Sequence, residues 1–134
     1  MRILLDTHIA LWACFESSKL PEPARELLSQ RANTVYYSAA SVWEVAIKHA
    51  LNRGNMPVPE ERFVEVCNQT GFLELPIRDE HIFAIKSLCR TEDAPSHNDP
   101  FDRLLVSQAK VEGMKLLTCD GLLEGYGEPC VMSY

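Results

Sequence analysis

The sequence predicts an α/β sandwich built on a mainly parallel sheet. Three observations carry that prediction. Strand-like runs alternate with helical ones from end to end, the pattern of βα units. The chain has 134 residues, one domain's worth, enough to bury a substantial core. Apolar residues make up 46% of it, too many for a disordered chain.

The elements follow in order. ILLD at 3–6 is a short buried-strand pattern that ends in an acid, and HIALWACF continues with helical spacing. SKLPEPARELLSQR predicts a helix opened by Pro21 and Pro23, with Leu27 and Leu28 facing inward. NTVYYS, rich in β-branched and aromatic residues, predicts a strand. SAASVWEVAIKHALNRG is the clearest helix, with Val42, Val45, Ala46, Ile47 and Ala50 on one side and Gly54 as its stop.

After the loop NMPVPEE, ERFVEVCNQTG predicts another amphipathic helix, FLELPI a short strand and RDEHIFAIKSLCR a further helix. TEDAPSHN is a polar loop. DPFDRLLVSQAKVEG predicts a helix ending at Gly113, MKLLTCD a strand ending in Thr-Cys-Asp, and PCVMS a last short strand. No repeat, low-complexity tract or linker interrupts residues 1–134, so one domain is expected.

Composition excludes several classes. No apolar run approaches the roughly 20 residues that cross a bilayer. The start MRILLDTHIALW carries an aspartate within its apolar part and no small-residue cleavage site, which predicts a first strand and a cytoplasmic chain. The five cysteines are odd in number and scattered, without CxxC or a Cys/His spacing. That argues against a disulfide framework or structural zinc and predicts reduced, mostly buried thiols. A net charge of −6 is unlike a broad basic nucleic-acid-binding face. It leaves a nucleic acid gripped locally by a few cations and a bound metal, or a basic protein partner.

The acids carry the chemistry. In a parallel sheet, ligands sit beyond the carboxyl ends of the strands. Asp6 ends the first strand and Asp120 ends KLLT. Glu44 lies in the second turn of the helix after NTVYYS and leans over the same edge. Asp99 and Asp102 open the helix before KLLT; helix and strand run antiparallel, so that start also lies near the carboxyl edge.

Each acid admits a plainer reading. Asp99-Pro100-Phe101-Asp102 makes a good helix cap. Ser41 and Glu44 have capping-box spacing, and Asp120-Gly121 suits a turn. Asp6, behind three apolar residues, is poorly solvated unless a cation meets it. Should the acids converge, like charges would raise one another's pKa, and a divalent cation would resolve the conflict. A hard-oxygen set selects Mg²⁺ or Mn²⁺ and suits phosphodiester hydrolysis.

LLDTHIALW at 4–12, SAASVWEVAIK at 38–48, HNDPFDRLLVSQA at 97–109 and LLTCD at 116–120 together resemble the PIN-domain ribonucleases, specifically the VapC-type toxins of toxin–antitoxin pairs. The resemblance runs the whole length. It implies a three-layer α/β/α fold and an Mg²⁺- or Mn²⁺-dependent endoribonuclease that cleaves RNA. It also implies a homodimer neutralised by a cognate antitoxin whose segment lies in a groove between helices. Carried over by position, the catalytic and metal-binding acids are Asp6, Glu44, Asp102 and Asp120. Asp99 is an additional acid of the DPFDR subgroup, Thr118 a hydroxyl beside the site, and Arg103 a contact for the RNA backbone or a neighbouring acid.

His8 is weighed as a ligand or proton carrier and read instead as a local hydrogen-bonding group at a helix start, and His97, before the acidic helix, is weighed as an RNA contact. Trp12 and Trp43 are read as core or partner-groove packing. Two other functions remain open. A phosphoacceptor receiver domain shares the length and the acidic Mg²⁺ pocket, but would need paired acids after strand one and a late lysine. A PIN-like binding module without catalysis would bind RNA or protein and not cleave. Asp6-Thr7-His8 does not match a DxDxT phosphatase, because position 8 is histidine.

Overall fold

The computed structural model describes residues 1–52 and 55–134. The expected helix stop at Gly54 lies outside them. Five strands form one sheet: β1 (Arg2–Leu5), β2 (Thr34–Ser38), β3 (Leu73–Leu75), β4 (Lys115–Thr118) and β5 (Val131–Ser133), in the order β3-β2-β1-β4-β5. Every neighbouring pair is parallel, so the mainly parallel expectation is met in full. The order also removes the receiver domain, whose doubly wound sheet runs 2-1-3-4-5.

Among the described residues six α-helices cover the sheet: α1 (Thr7–Phe15), α2 (Glu22–Ser29), α3 (Ala39–Ala50), α4 (Glu60–Gln69), α5 (Asp79–Ala84) and α6 (Pro100–Glu112). Side chains of β1 alternate between its faces. Ile3 and Leu5 join Ile9, Ala24, Phe63 and Cys67 in a core beneath α1, α2 and α4. Leu4 joins Leu104, Leu105, Ala109 and Leu116 in a second core on the opposite face. Two cores separated by one sheet make a three-layer α/β/α sandwich, held chiefly by the apolar area removed from water. Leu116, fully buried in β4, measures that packing: Leu116→Ala is expected to cost about 2–5 kcal/mol in urea unfolding.

The helices differ from expectation where packing overrides pattern. α2 buries Ala24, with Leu27 and Leu28 only half-buried. The buried residues of α3 are Ala40, Ser41, Glu44 and Val45, whereas Ala50 is exposed. Its buried face therefore contains an acid, which a hydrophobicity pattern does not count. α5 stops at Ala84 and continues as one 3-10 turn, Ile85–Ser87. α6 ends at Gly113, whose φ of 67° is the left-handed conformation that terminates helices.

Of the five thiols only Cys67 is fully buried, and Cys89 is exposed, so the expectation of mostly buried thiols is too strong. No described helix is long and apolar enough to cross a membrane.

Candidate active site

The chain runs from β1 to β2 and β3 on one side of the sheet, then crosses to β4 and β5 on the other. β1 and β4 are thus neighbours at the point where the winding reverses, the place where such sheets open a crevice. Asp6 leaves β1 there, its backbone N–H donating to Leu117 O at 3.0 Å. Its carboxylate is 3% exposed and accepts from the Thr118 hydroxyl at 2.6 Å. Burial pushes the Asp6 pKa up, against the opposing pull of the Thr118 hydrogen bond. Thr118 also accepts from the Asp120 N–H at 3.0 Å, which orients the turn after β4. Thr118→Val keeps the shape but removes the donor, and is expected to cost about 1–3 kcal/mol in urea unfolding at pH 7.

Glu44 is also buried. Thr7 donates to its Oε1 at 2.7 Å, and Lys48 reaches Oε2 at 2.5 Å. Thr7 additionally meets the Ser41 hydroxyl at 2.8 Å. The capping-box reading of Ser41 and Glu44 therefore fails: Ser38 caps α3, accepting from the Ala40 N–H. Thr7 and Lys48 escaped the sequence reading, and Ser41 entered it only as a cap. The available signal was the four-residue spacing from Glu44 to Lys48, one helical turn on the same face.

Asp99 is the N-cap of α6, its Oδ1 accepting from the N–H groups of Phe101 and Asp102 at 2.9 and 3.0 Å. Asp102 then points toward the other acids. Burial, then the charges of Asp6, Asp99, Glu44 and Asp120 in that order, push its pKa up to about 8. Asp6, Asp99, Glu44 and Asp120, from four segments with Asp102, thus stand near enough to raise its pKa. Asp120 doubles as the cap of a 3-10 segment, Gly121–Tyr126, accepting from the Leu122 N–H.

Of the expected acids, only Asp102 and Asp120 fall in a tight group of potential ligand atoms among the described residues, and Asp6, Glu44 and Asp99 lie outside it. Ligand atoms of His97, Asp102 and Asp120 lie within 4.8 Å of one another. Arg103 forms no ion pair among the described residues, and its Nε is buried without a hydrogen-bond partner. His8 is exposed and leans on Trp12, which is partly buried as expected. Trp43, read as core or partner-groove packing, is 55% exposed, which leaves it outside the core, and meets Phe101 edge to face, centroids 5.0 Å apart. A cavity of about 580 Å³ lined by Ala13, Leu20, Arg25, Leu28, Thr70 and Phe72 contains none of the acids.

An all-parallel three-layer sandwich with buried acids crowded at its switch point defines an α/β domain with an acidic crevice. The chain belongs to the PIN domain family, whose model matches residues 3–128. No curated protein sequence matches it. Its fold is similar to that of VapBC2 from Rickettsia felis, a structure bound to a promoter DNA fragment. That likeness has a TM-score of 0.68 at 19% identity, over 100% of this chain and 99% of that one. FitAcB from Neisseria gonorrhoeae is similar at 0.61 and 22%, over 98% and 96%. A domain of a functionally unknown protein from Methanocaldococcus jannaschii is similar at 0.59 and 17%, over 99% and 90%.

Proposed function

We propose that this chain, residues 1–134, is one PIN domain acting as a divalent-cation-dependent endoribonuclease of the VapC type. In this reading it is the cytoplasmic toxin of a toxin–antitoxin pair. One observation carries it: at the switch point, burial and then the charges of carboxylates from separate segments push the Asp102 pKa up to about 8. That crowding calls for a counter-charge, and a donor set of carboxylate oxygens suits Mg²⁺ or Mn²⁺.

Asp6, Glu44, Asp102 and Asp120 would hold the cation. When bound, Mg²⁺ or Mn²⁺ supplies a water of lowered pKa and offsets charge on the transferring phosphoryl group. The residues of the chain do the positioning. Thr118 holds Asp6, Thr7 and Lys48 hold Glu44, and Asp99 fixes the start of α6 and lines the pocket. Arg103 is the candidate contact for the RNA backbone. Water adds in line at phosphorus and the 3′-oxygen leaves, giving a 5′-phosphate and a 3′-hydroxyl.

Membership of the PIN family and the likeness to VapBC2 and FitAcB support an antitoxin partner, and a homodimer is part of the same reading. The net charge of −6 suits a basic antitoxin segment. Exposed Ile82 and Phe83 on α5 offer apolar surface for association.

The test is cleavage of total RNA by the purified protein with Mg²⁺ or Mn²⁺ and with EDTA, the cut ends being sequenced. Discrete, cation-dependent cuts bearing 5′-phosphates are expected. A 2′,3′-cyclic phosphate would exclude water as the nucleophile. Absence of both cuts and Mn²⁺ binding would overturn the reading.

A further inference from the structure

Among the described residues, the Asp102 carboxylate has one hydrogen-bond partner, His97. The imidazole Nε2 lies 3.2 Å from Asp102 Oδ2, and the side chain is only 6% exposed. Its other nitrogen, Nδ1, stands 2.6 Å from the Tyr126 hydroxyl. That hydroxyl also lies 3.3 Å from the His97 carbonyl oxygen. The two rings meet edge to face with centroids 5.4 Å apart. Tyr126 thus holds residue 97 by ring and backbone together.

Tyr126 is itself braced. The Arg90 guanidinium carbon sits 4.6 Å from its ring centroid, within cation–π range. Arg90 donates from Nε to the Pro95 carbonyl and from Nη1 to the Leu122 carbonyl, each at 2.8 Å. Glycine at 125 leaves room for the guanidinium, since a Cβ there would stand 2.3 Å from an Arg90 nitrogen. These contacts run from the loop before α6 and the 3-10 segment after β4 to one oxygen of one acid.

We propose that His97 is a positioning residue for Asp102 in hydrolysis, with Tyr126 as its orienting partner. This rests on the nuclease reading above. Once a cation holds Asp102 ionised, the nitrogen facing its oxygen must carry the hydrogen, so Nε2 donates to Asp102 while Nδ1 meets the Tyr126 hydroxyl. A carboxylate on a free χ2 samples many orientations. A rigid donor on Oδ2 selects one and leaves Oδ1 open toward the neighbouring acids. Donors of this kind behind a cation-binding carboxylate govern affinity as well as geometry. With both nitrogens already engaged, His97 acts through Asp102 and does not itself ligate.

The test compares wild type, His97→Ala, His97→Gln and Tyr126→Phe by three measurements. These are titration with Mn²⁺ alone, followed by electron paramagnetic resonance, the rate of total-RNA cleavage at saturating Mn²⁺, and the thermal midpoint. His97→Ala is expected to bind Mn²⁺ roughly 10- to 100-fold more weakly and to stay slow at saturating Mn²⁺. The glutamine amide can place an N–H near the Nε2 position, so His97→Gln is expected to recover most of both losses. Tyr126→Phe is expected to lie between His97→Ala and wild type.

Equal losses in the alanine and glutamine variants, tracking the thermal midpoint, would mean a packing role and overturn the proposal. Unchanged Mn²⁺ affinity and rate in His97→Ala would overturn it too. A wild type that neither binds Mn²⁺ nor cleaves would sink the nuclease reading first and this inference with it. The wild-type control therefore separates the two failures.

Discussion

Asp6→Asn is expected to lower the RNA-cleavage rate at saturating Mg²⁺ by about a thousandfold while leaving the fold intact. Asparagine has nearly the same volume and keeps an oxygen to accept from Thr118, which donates to Asp6 at 2.6 Å. What it loses is charge, at a site where the carboxylate is buried. Asp6 is also the largest charge contribution to the raised pKa of Asp102, so Asp102 should ionise at lower pH in the variant. The metal-free variant is therefore expected to unfold at the same or a higher temperature than wild type. Cleavage assays and thermal unfolding on the same preparations check both halves. Full activity in Asp6→Asn would remove Asp6 from the catalytic set; lost activity with a collapsed midpoint would say only that the fold failed.

The second large effect is a pH dependence whose sign reverses on adding cation. The Asp102 pKa is about 8 in the folded protein, against roughly 3.9 for an unfolded aspartate. Between those values the folded state binds more protons than the unfolded one, so stability falls as pH rises. The contribution is fully present below the unfolded value and is lost by the time pH passes the folded one. Asp6, also raised, acts in the same direction. Asp102 is partly open to solvent, so the loss is discounted to about 2 kcal/mol across the window.

A divalent cation binds the ionised form, so its stabilising effect should grow with pH over the same range and be nearly flat above it. Calorimetric titration with Mn²⁺ in buffers of different ionisation enthalpy should detect close to one proton released per site near pH 6.5. Urea unfolding of the EDTA-treated protein at several pH values gives the other half. A metal-free stability that rises steadily from pH 5 to 8 would contradict the clustering of charge at Asp102.

Much of this was legible in the sequence because it is local. The alternation of ILLD, NTVYYS and KLLT with amphipathic helices depends on short-range patterns, and it led to the α/β class. Asp99-Pro100 carries its own capping chemistry, and Gly113 its own helix stop. Even the gathering of Asp6, Glu44, Asp102 and Asp120 followed from topology, because parallel winding brings the carboxyl ends of strands to one edge. The LLDTHIALW and HNDPFDR segments also carried the family resemblance, and the PIN match over residues 3–128 accords with it.

What escaped were relations between residues far apart in the chain. Thr7 and Glu44 are 37 positions apart, Tyr126 and His97 are 29 apart, and Thr118 and Asp6 are 112 apart. A hydroxyl or an imidazole has no periodicity to betray its partner; only packing selects it. Trp43 shows the same limit from the other side. Its helical setting left core and partner-groove packing both open; the buried face of α3 belongs to Ala40, Ser41, Glu44 and Val45, so the indole lies outside the core. The sequence by itself determined which elements form and on which edge the acids lie, because both follow from local pattern and chain direction. The tertiary structure alone decided which acid is paired, which is buried and which holds its proton, because those depend on distances of a few ångströms across the crevice.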